Sequence, residues 1–471
     1  MFSDYNELKS FVEENKISFI DLKYIDLPGR LHHVTLPADY FSEDTVKNGV
    51  GFDGSSVPFF KNLESGDLVL IPDLSSSFMD PFMSDPDADI FTLSMLCYIC
   101  DAQTKEKHPY DPRSIAKKTE EYLFQKYGAE SLWLSELEFY LFSEIKTEDP
   151  ILEGDNPFKF ITIEKQLLKQ KAYEASPPED NTHMIRNYCC KYLSDFAGIK
   201  VKYNHHEVGA KGQCEIELEF APLLKAADNV ILGKYFVRNI AHNNNMIANF
   251  MPKPIFNEAG SGLHFHQILK KKNKNIFKKT SKNPGDYDSI NQKGFNYISG
   301  ILKHADSVLA FTNPSTNSFK RLIPGFEAPV KKFFSKGNRS AVIRIPQYSM
   351  GTEKMSFEFR ASDATANPYF AITSLLLAGL DGIENKIDNK ENNFGPIDKN
   401  VFNLPKKEQD KTSSLPNSLL SSLDSLEKDN DFLKPIYPEE LIIKWIKYKR
   451  DESEEIRRRI HPYEIYLYTN F

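Results

Sequence analysis

The chain has few of the residues that stabilise small secreted proteins. Its 471 residues include five cysteines, an odd number without the spacing of a disulfide framework: Cys97, Cys100, Cys189, Cys190 and Cys214. Cys97 and Cys100 form one isolated CxxC pair, and two thiolates cannot complete a tetrahedral zinc site. We therefore expect reduced thiols and no structural zinc.

Long apolar runs are also missing. No stretch approaches the roughly 20 apolar residues that a membrane helix requires, and residues 1–15 are acidic and mixed, without an apolar signal segment. These absences predict a cytoplasmic protein that does not contact a membrane.

Net positive charge is absent as well. The chain carries 59 Lys and Arg against 66 Asp and Glu, a formal charge of −7, which argues against nucleic acid as a partner. No GxxxxGK[ST] phosphate loop occurs, so a nucleotide would have to bind in another way. Anionic substrates would need cations or local arginines to overcome the overall negative field.

The pattern of elements predicts an α+β protein. Later strands and helices follow one another without a regular βαβ rhythm, which argues against a doubly wound sheet. We place a domain boundary at the Pro-rich segment 108–113, giving an N-terminal domain of residues 1–107 and a larger domain of residues 108–471. Strands are predicted at 18–26, 31–36, 67–72 and 90–100, and a helix at 114–127.

The C-terminal third has two further features. Residues 384–437 are polar and predict a long surface excursion with short helices. Residues 439–460 predict a charged amphipathic helix, and the aromatic-rich end of the chain is expected to contact another subunit.

The first chemical signal is an alternating strand at 135–142. Glu136 and Glu138 point to one face, while Leu137 and Phe139 point to the other. Two carboxylates about 7 Å apart on one strand face repel each other, so we expect positive charge between them. An exposed amphipathic face is the alternative, and the aromatic continuation of the strand weakens it.

Three more segments carry ionisable groups at short spacing. Glu215, Glu217 and Glu219 share one face of a predicted strand, and Glu207 lies across a glycine-containing turn from Glu215, so both could reach one ion. The next segment holds His264 and His266, a His-x-His pair, which is more often structural than metal-binding. The last one places Glu358 beside Arg360.

Oxygen-dominated ligation with at most one imidazole suits Mg²⁺ or Mn²⁺ rather than zinc. Several carboxylates around two metals indicate phosphoryl chemistry. Arginines grip carboxylates and phosphates in bidentate fashion, although each could equally form a surface ion pair. Four of them follow within 40 residues: Arg321, Arg339, Arg344 and Arg360.

Taken together, these segments resemble glutamine synthetase of the long bacterial type I form, almost from end to end. The motifs that carry the resemblance, in family order, are Phe52-Asp-Gly-Ser-Ser56, Glu136-Leu-Glu138, His205-His-Glu-Val208 with Gly212-Gln213 and Glu215, Gly260-Ser-Gly-Leu-His264, Lys320 to Pro329, Asn338-Arg-Ser340, and Glu358-Phe-Arg360 followed by Asn367-Pro-Tyr369.

The resemblance implies a role for each matching residue. Glu138, Glu207 and Glu215 would hold the tighter of two Mg²⁺ or Mn²⁺ ions, and Glu136, His264 and Glu358 the second, which contacts ATP. Asp53, Ser56, Tyr173 and Glu327 would form the ammonium site, with Asp53, Glu327 and Arg339 in catalytic roles. Gly260, Arg321 and Arg360 would bind glutamate, and Phe220, His266, Arg339 and Arg344 would border or bind ATP.

The resemblance also implies a reaction and an assembly. Glutamate would attack the γ-phosphate of ATP, and ammonia would displace phosphate from the γ-glutamyl phosphate. The fold would be an N-terminal β-grasp domain plus a large catalytic α/β domain of the glutamine synthetase type. The family assembly is a homo-dodecamer of two hexameric rings with active sites between subunits, in which the C-terminal segment 457–471 joins the rings.

Four positions depart from the family pattern. Ala259 replaces an asparagine that helps hold glutamate, Ser356 an arginine that meets phosphate, and Lys202 a glutamate near the nucleotide. Phe402 stands where some bacterial members carry an adenylylated tyrosine, so we predict no adenylylation.

Two other functions fit parts of the pattern. A related γ-glutamyl-amine or polyamine ligase would differ in the nucleophile, and Ala259 leaves room for it, whereas Asp53 and Tyr173 favour ammonium. A non-catalytic relative would be expected to lose metal ligands, and all six aligned ligands are present.

Overall fold

The computed structural model describes residues 2–58, 60, 66–147, 158–163, 172–281, 283, 285–326, 328–399, 401–403 and 405–468. Its helices are α1 (Tyr5–Glu14), α2 (Glu43–Asn48), α3 (Pro112–Tyr127), α4 (His183–Ala197), α5 (Leu223–Asn243), α6 (Gln292–Lys303), α7 (Ala305–Thr312), α8 (Ser318–Arg321), α9 (Pro368–Glu384), α10 (Lys406–Gln409), α11 (Leu419–Lys428), α12 (Glu439–Arg457) and α13 (Pro462–Tyr468). Among these residues, none of the helices is both long and apolar enough to span a membrane.

The strands form two sheets. They are β1 (Phe19–Ile25), β2 (Leu31–Pro37), β3 (Val50–Asp53), β4 (Asp67–Pro72), β5 (Phe78–Met79), β6 (Thr92–Asp101), β7 (Glu130–Thr147), β8 (Phe158–Thr162), β9 (Val201–His206), β10 (Gln213–Leu218), β11 (Ala221–Pro222), β12 (Ile247–Asn249), β13 (Leu263–Lys271), β14 (Lys274–Asn275), β15 (Lys331–Ser335), β16 (Ala341–Arg344) and β17 (Phe357–Phe359).

The smaller sheet belongs to the N-terminal region and has the order β2-β1-β6-β4-β3, with β5 added to β6. β1 pairs with β6 in parallel and with β2 in antiparallel register. The four strands predicted for this region are confirmed, with ends displaced by one or two residues, and so is the helix predicted at 114–127, which is α3.

The hairpin between β1 and β2 is fixed to the start of α9. Gly29 has φ +92, and a Cβ there would come within 3.0 Å of the Asn367 Cα, so the predicted Pro28-Gly29 turn requires glycine. The Asn367 side chain donates to the carbonyls of Asp26 at 3.2 Å and Leu27 at 2.9 Å. The N-terminal sheet is therefore attached directly to the helix that follows the strand of Glu358.

The larger sheet has the order β15-β16-β17-β13-β7-β10-β9, and β7 is its longest strand. Apolar side chains on one face of β7, including Leu137, Phe139 and Leu141, are fully buried in the main hydrophobic core. The packed helices α5, α6, α7 and α9 supply most of the other apolar surface. Burial of one face leaves the opposite face of the same strands for polar groups.

Two of the predicted C-terminal features are present, and the contact of the chain end with another subunit stays a prediction. The amphipathic helix is present as α12, which ends at Arg457, and the preceding excursion contains the short helices α10 and α11. One detail is wrong: Glu219 is not on the face shared by Glu215 and Glu217. The pairing of β10 with β9 shifts register between Glu217 and Leu218, the strand ends there, and Glu219 is exposed.

Candidate functional site

The central strands of the larger sheet bring the predicted carboxylates and imidazoles side by side. Glu136 on β7 is opposite His264 on β13 and opposite Glu217 on β10. Glu138, two residues further along β7, is opposite Glu215. Because side chains alternate along a strand, these residues all project from the face that the apolar core leaves open.

Glu136 lies between two imidazoles. Its carboxylate is 2.6 Å from Nδ1 of His264 and 2.8 Å from Nε2 of His266. Burial acts to raise the pKa of Glu136, but the two imidazoles outweigh it and hold that pKa well below the usual range. Burial likewise opposes protonation of His266, and the carboxylates of Glu358 and Glu136 outweigh it, so its pKa is raised.

A second group forms where β9 meets β10. Nε2 of His205 is 3.4 Å from Glu215 Oε1, and Nδ1 of His205 is 3.9 Å from Glu207 Oε1. Burial first, and then the nearby Glu136, Glu207 and Glu138 carboxylates, raise the pKa of Glu215 well above its usual value. The cluster therefore holds more negative charge than its own cationic groups neutralise.

Glu217 is a third member of this acidic surface. Its Oε1 accepts a hydrogen bond of 2.6 Å from Lys202, and its buried Oε2 has no hydrogen-bond partner among the described residues. Because an unpaired buried carboxylate oxygen is costly, this atom is suited to a cation.

Among the residues that the structure describes, three groups have ligand atoms mutually within 4.8 Å: Glu136, Glu138 and His264; His205, Glu207 and Glu215; and Glu136, Glu217 and His266. Carboxylate oxygens with single imidazoles are the donor set that Mg²⁺ and Mn²⁺ accept, so the residues fit divalent cations. The geometric grouping differs from the division implied by the resemblance, because Glu138 lies with Glu136, and Glu358 belongs to none of the three groups.

Glu358 is instead enclosed by guanidinium groups. It is fully buried on β17, where Arg360 bonds its Oε1 and Arg344 Nη1 donates to its Oε2 at 2.9 Å. Burial acts to raise the pKa of Glu358, but Arg360 and the nearby imidazole of His266 lower it further than burial raises it. This carboxylate orients two arginines at the edge of the metal-binding face.

Arg321 is held by main-chain carbonyls close to His264. Its Nη1 donates to Ala361 O at 2.8 Å, and its Nη2 lies 3.1 Å from His264 Nε2. The glycine motif makes room for it: a Cβ on Gly260 would stand 2.7 Å from Arg321 Cγ, and one on Gly262 would stand 2.6 Å from Arg321 Nη2. The amide of Gly262 also donates to Glu138 at 2.8 Å.

A cavity of about 330 Å³ opens over these groups. Eleven of the predicted site residues line it: Glu136, Glu138, Tyr173, Glu207, Glu215, Gly260, His264, Arg321, Arg339, Arg344 and Arg360. The cavity joins a carboxylate and imidazole surface to four arginines, so it can hold cations and anions next to each other.

Other predicted residues lie outside the cavity wall. Glu358 and His266 are buried behind it, and Phe220 lies past the end of β10 and does not line it. Glu327 lies outside the described residues.

Asp53 is the last residue of β3 in the N-terminal sheet, Ser56 lies in the turn that follows, and neither lines this cavity. Asp53 accepts hydrogen bonds from the Ser55 hydroxyl at 2.7 Å and the Ser56 hydroxyl at 2.9 Å. These bonds, with one from the Ser55 amide, lower the pKa of Asp53. The exposed carboxylate is therefore held ionised on the surface of the subunit.

Several residues of the site have no role that the sequence indicated. His205, Tyr203 and Tyr348 line the cavity, and Glu217 belongs to one of the candidate metal groups. Alternation placed Glu217 on the face of Glu215 without giving it a role, and the hairpin, which places His205 opposite Glu215, could have indicated His205. Tyr348 lies in a single 3-10 turn, Gln347–Ser349, after β16, where the sequence has no periodic signal.

The departures have visible consequences. Ala259 lines the cavity, so the cavity wall carries a methyl group at this position. The carbonyl of Ala259 accepts a 2.6 Å hydrogen bond from the Tyr140 hydroxyl. Ser356 is buried with its hydroxyl 3.3 Å from His266 Nδ1. Lys202 pairs with Glu217.

The fold and the site define an α+β protein with a small N-terminal sheet and a large sheet whose polar face gathers carboxylates, imidazoles and arginines. Family models identify the class further: residues 16–102 match the glutamine synthetase β-grasp domain and residues 109–468 the glutamine synthetase catalytic domain. The chain belongs to the glutamine synthetase family.

Individual relatives agree with this assignment. A glutamine synthetase of Frankia alni is 39% identical, with 99% of each chain covered, and one of Nostoc sp. is 38% identical, with 98% of each covered. The solved structure of Plasmodium falciparum glutamine synthetase superposes with a TM-score of 0.87 at 28% identity, covering 99% of both chains. A GmaS/ADP complex has the same fold, with a TM-score of 0.83 at 24% identity, covering 99% of this chain and all of that one.

Proposed function

We propose that this chain is a glutamate–ammonia ligase, which joins ammonia to L-glutamate with ATP and releases glutamine, ADP and phosphate. The observation that carries the proposal is that one cavity contains both a carboxylate cluster with excess negative charge and four arginines. Glutamate and ATP are both anionic and repel each other, so a site that joins them needs concentrated positive charge.

Two divalent cations, Mg²⁺ or Mn²⁺, would supply part of that charge by neutralising phosphate oxygens. Following the family, we assign Glu138, Glu207 and Glu215 to one ion. The second ion is assigned to Glu136, His264 and Glu358. The short contacts of Glu136 with both histidines support its central place, and the unpaired Oε2 of Glu217 makes this residue an additional ligand candidate.

Arg321, Arg360 and the main chain at Gly260 would bind the glutamate carboxylates. Arg339 and Arg344 would hold the ATP phosphates, with Phe220 and His266 bordering the nucleotide. In the first step a γ-carboxylate oxygen of glutamate forms a bond to the γ-phosphorus, and the bond from that phosphorus to the bridging oxygen breaks, releasing ADP. Arginines placed before the reaction stabilise the charge of the transferring group without reorganisation.

In the second step ammonia attacks the acyl carbon and phosphate leaves with the electrons of the C–O bond. Asp53, Ser56, Tyr173 and Glu327 would bind ammonium, and Asp53 would take its proton. The lowered pKa of Asp53 keeps it anionic and able to attract the cation. Because Asp53 does not line the cavity of its own subunit, we propose that it serves a neighbouring one, within a homo-dodecamer of two hexameric rings.

We further propose that the chain works in the cytoplasm. We place the domain boundary between residues 107 and 108. The β-grasp domain would then contain Asp53 and would contribute it across a subunit contact.

Glutamine formation from glutamate, ammonium and ATP in the presence of Mg²⁺ tests the proposal, with chelation of the metal as one control. We expect turnover in the assembled wild-type protein and a large loss in Asp53→Ala. Asp44→Ala, on α2 of the same domain, is the matched control and should retain activity. Absence of turnover from well-assembled wild-type protein would contradict the proposed reaction.

The nucleophile needs a separate comparison, because Ala259 places a methyl group on the cavity wall. Ammonium, methylamine and putrescine should be offered at equal concentrations. We expect ammonium to give the highest kcat/KM, and a preference for either amine would identify a γ-glutamyl-amine ligase instead.

A further inference from the structure

A second cavity, of about 660 Å³, lies between the N-terminal sheet and the catalytic region and shares none of its lining residues with the first. The β1–β2 hairpin forms one side, α5 another, and α12 and the segment around residues 364–365 close it. Its volume is within the range of small-molecule sites. None of the residues assigned above to the ligase reaction lines it.

Positive charge is concentrated in this cavity. Among the described residues that line it, five are Lys or Arg and one, Glu452, is acidic. Two of the five are compensated: Lys23 pairs with Asp21 and Asp80, and Lys449 pairs with Glu452 at 2.8 Å. The other three are Arg30, Lys234 and Arg238.

These three cations form no ion pair with any described carboxylate. Lys234 is only 8% exposed, and the hydrogen bond that holds it is a 2.8 Å contact to the carbonyl of Ala364. Burial, and then the charge of Arg238, lower the pKa of Lys234 to about 7. Arg238 lies over the ring of Phe250, with 5.4 Å between the guanidinium carbon and the ring centroid.

An anion that enters this concave site could pair with Arg30 and Arg238, and its negative charge would favour the protonated form of Lys234. The rest of the chain makes the excess of cations more distinctive, because its formal net charge is −7. Apolar side chains, including Ile231 and Met251, form another part of the wall. The site therefore suits an organic anion with a short carbon skeleton as well as an inorganic anion.

We propose that this cavity binds a small dianion, carrying carboxylate or phosphate groups, between Arg30 of the β1–β2 hairpin and Lys234 and Arg238 of α5. Such a ligand connects the N-terminal sheet to the catalytic region. The ligand would also contact the segment around residues 364–365, which lines the cavity. The same segment begins just after Arg360, and its carbonyls at Ala361 and Ser362 accept hydrogen bonds from Arg321. The proposal does not depend on the ligase activity.

Isothermal titration of the full-length protein with succinate, and separately with inorganic phosphate, tests the proposal. We expect one saturable site per chain for at least one of these anions, and no binding of uncharged succinamide. Arg238→Gln should weaken binding at least tenfold. Lys225→Gln, on the same helix but outside the cavity, is the matched control and should bind as the wild type does.

Binding in the first cavity is separated from this site by repeating the titration in an Arg339→Gln background, where the signal from the second cavity should persist. If Arg238→Gln does not fold, Arg30→Gln on the exposed hairpin provides the same test. Binding of succinate alone identifies a carboxylate site, and binding of phosphate alone a phosphate site. Absence of binding by both anions, or binding that survives both arginine substitutions, overturns the proposal.

Discussion

Replacement of Glu358 by glutamine tests how the arginines of the site are held. The carboxylate is fully buried and receives Arg360 on one oxygen and Arg344, at 2.9 Å, on the other. A hydrogen bond to a charged group contributes about 1.5–3 kcal/mol, so loss of charge at two such bonds removes about 3–6 kcal/mol. Removal of one partner from a buried ion pair costs a similar amount, about 3–5 kcal/mol.

We therefore expect Glu358→Gln to lower the free energy of unfolding by about 3–5 kcal/mol. Urea denaturation followed by fluorescence and circular dichroism measures it, at fixed protein concentration and with a chelator so that metal binding does not contribute. Glu43→Gln, which removes the exposed pair of Glu43 with Lys47 at 2.7 Å, should match the wild type within error. A loss below about 1 kcal/mol for Glu358→Gln would show that the arginines do not depend on this carboxylate.

Two further predictions concern other parts of the molecule. His304 is buried between Asp381 and Asp429, each 2.8 Å from a ring nitrogen; burial opposes its protonation, but both carboxylates outweigh burial and raise its pKa. The stabilisation by His304 should therefore be complete below about pH 6.5 and should disappear as pH rises through the folded-state pKa. The difference in unfolding free energy between the wild type and His304→Gln should shrink with rising pH, and a difference that grows would refute this. Gly262→Ala places a Cβ 2.6 Å from a guanidinium nitrogen and should cost about 1–3 kcal/mol of stability and raise KM for glutamate, as measured by urea denaturation and steady-state kinetics. Gly51→Ala, whose Cβ would meet no atom within 4 Å, should change neither quantity.

Periodicity alone was sufficient for the elements that carry the chemistry. Alternation predicted that Glu136 and Glu138 share a strand face, and β7 confirms it. The sequence pattern also predicted β1, β2, β4 and β6 of the N-terminal sheet, but not β3 and β5, and helical periodicity predicted α12. These patterns are local: a strand with one buried face must alternate, whatever partner it has. The exception, Glu219, followed from a register shift that depends on the neighbouring strand.

Pairing across the sheet could not be predicted from periodicity. The strand order β17-β13-β7-β10-β9 combines segments more than 200 residues apart in the chain. Only this order places His264 opposite Glu136 and His205 opposite Glu215. Residue spacing placed Glu358 beside Arg360, whereas only the pairing of β16 with β17 brings Arg344 to the same carboxylate.

The sequence by itself determined the class of the fold, the strand face on which Glu136 and Glu138 lie, and, through its motifs, the family. Those properties depend on short-range alternation and on residue types in order. Only the tertiary structure decided which carboxylates share a cation-sized group, that Lys202 neutralises one oxygen of Glu217, and that Arg30 of the hairpin meets Lys234 of α5 in a second, positively charged cavity. Electrostatic environment depends on distance and burial in three dimensions, and residues remote in sequence supply both.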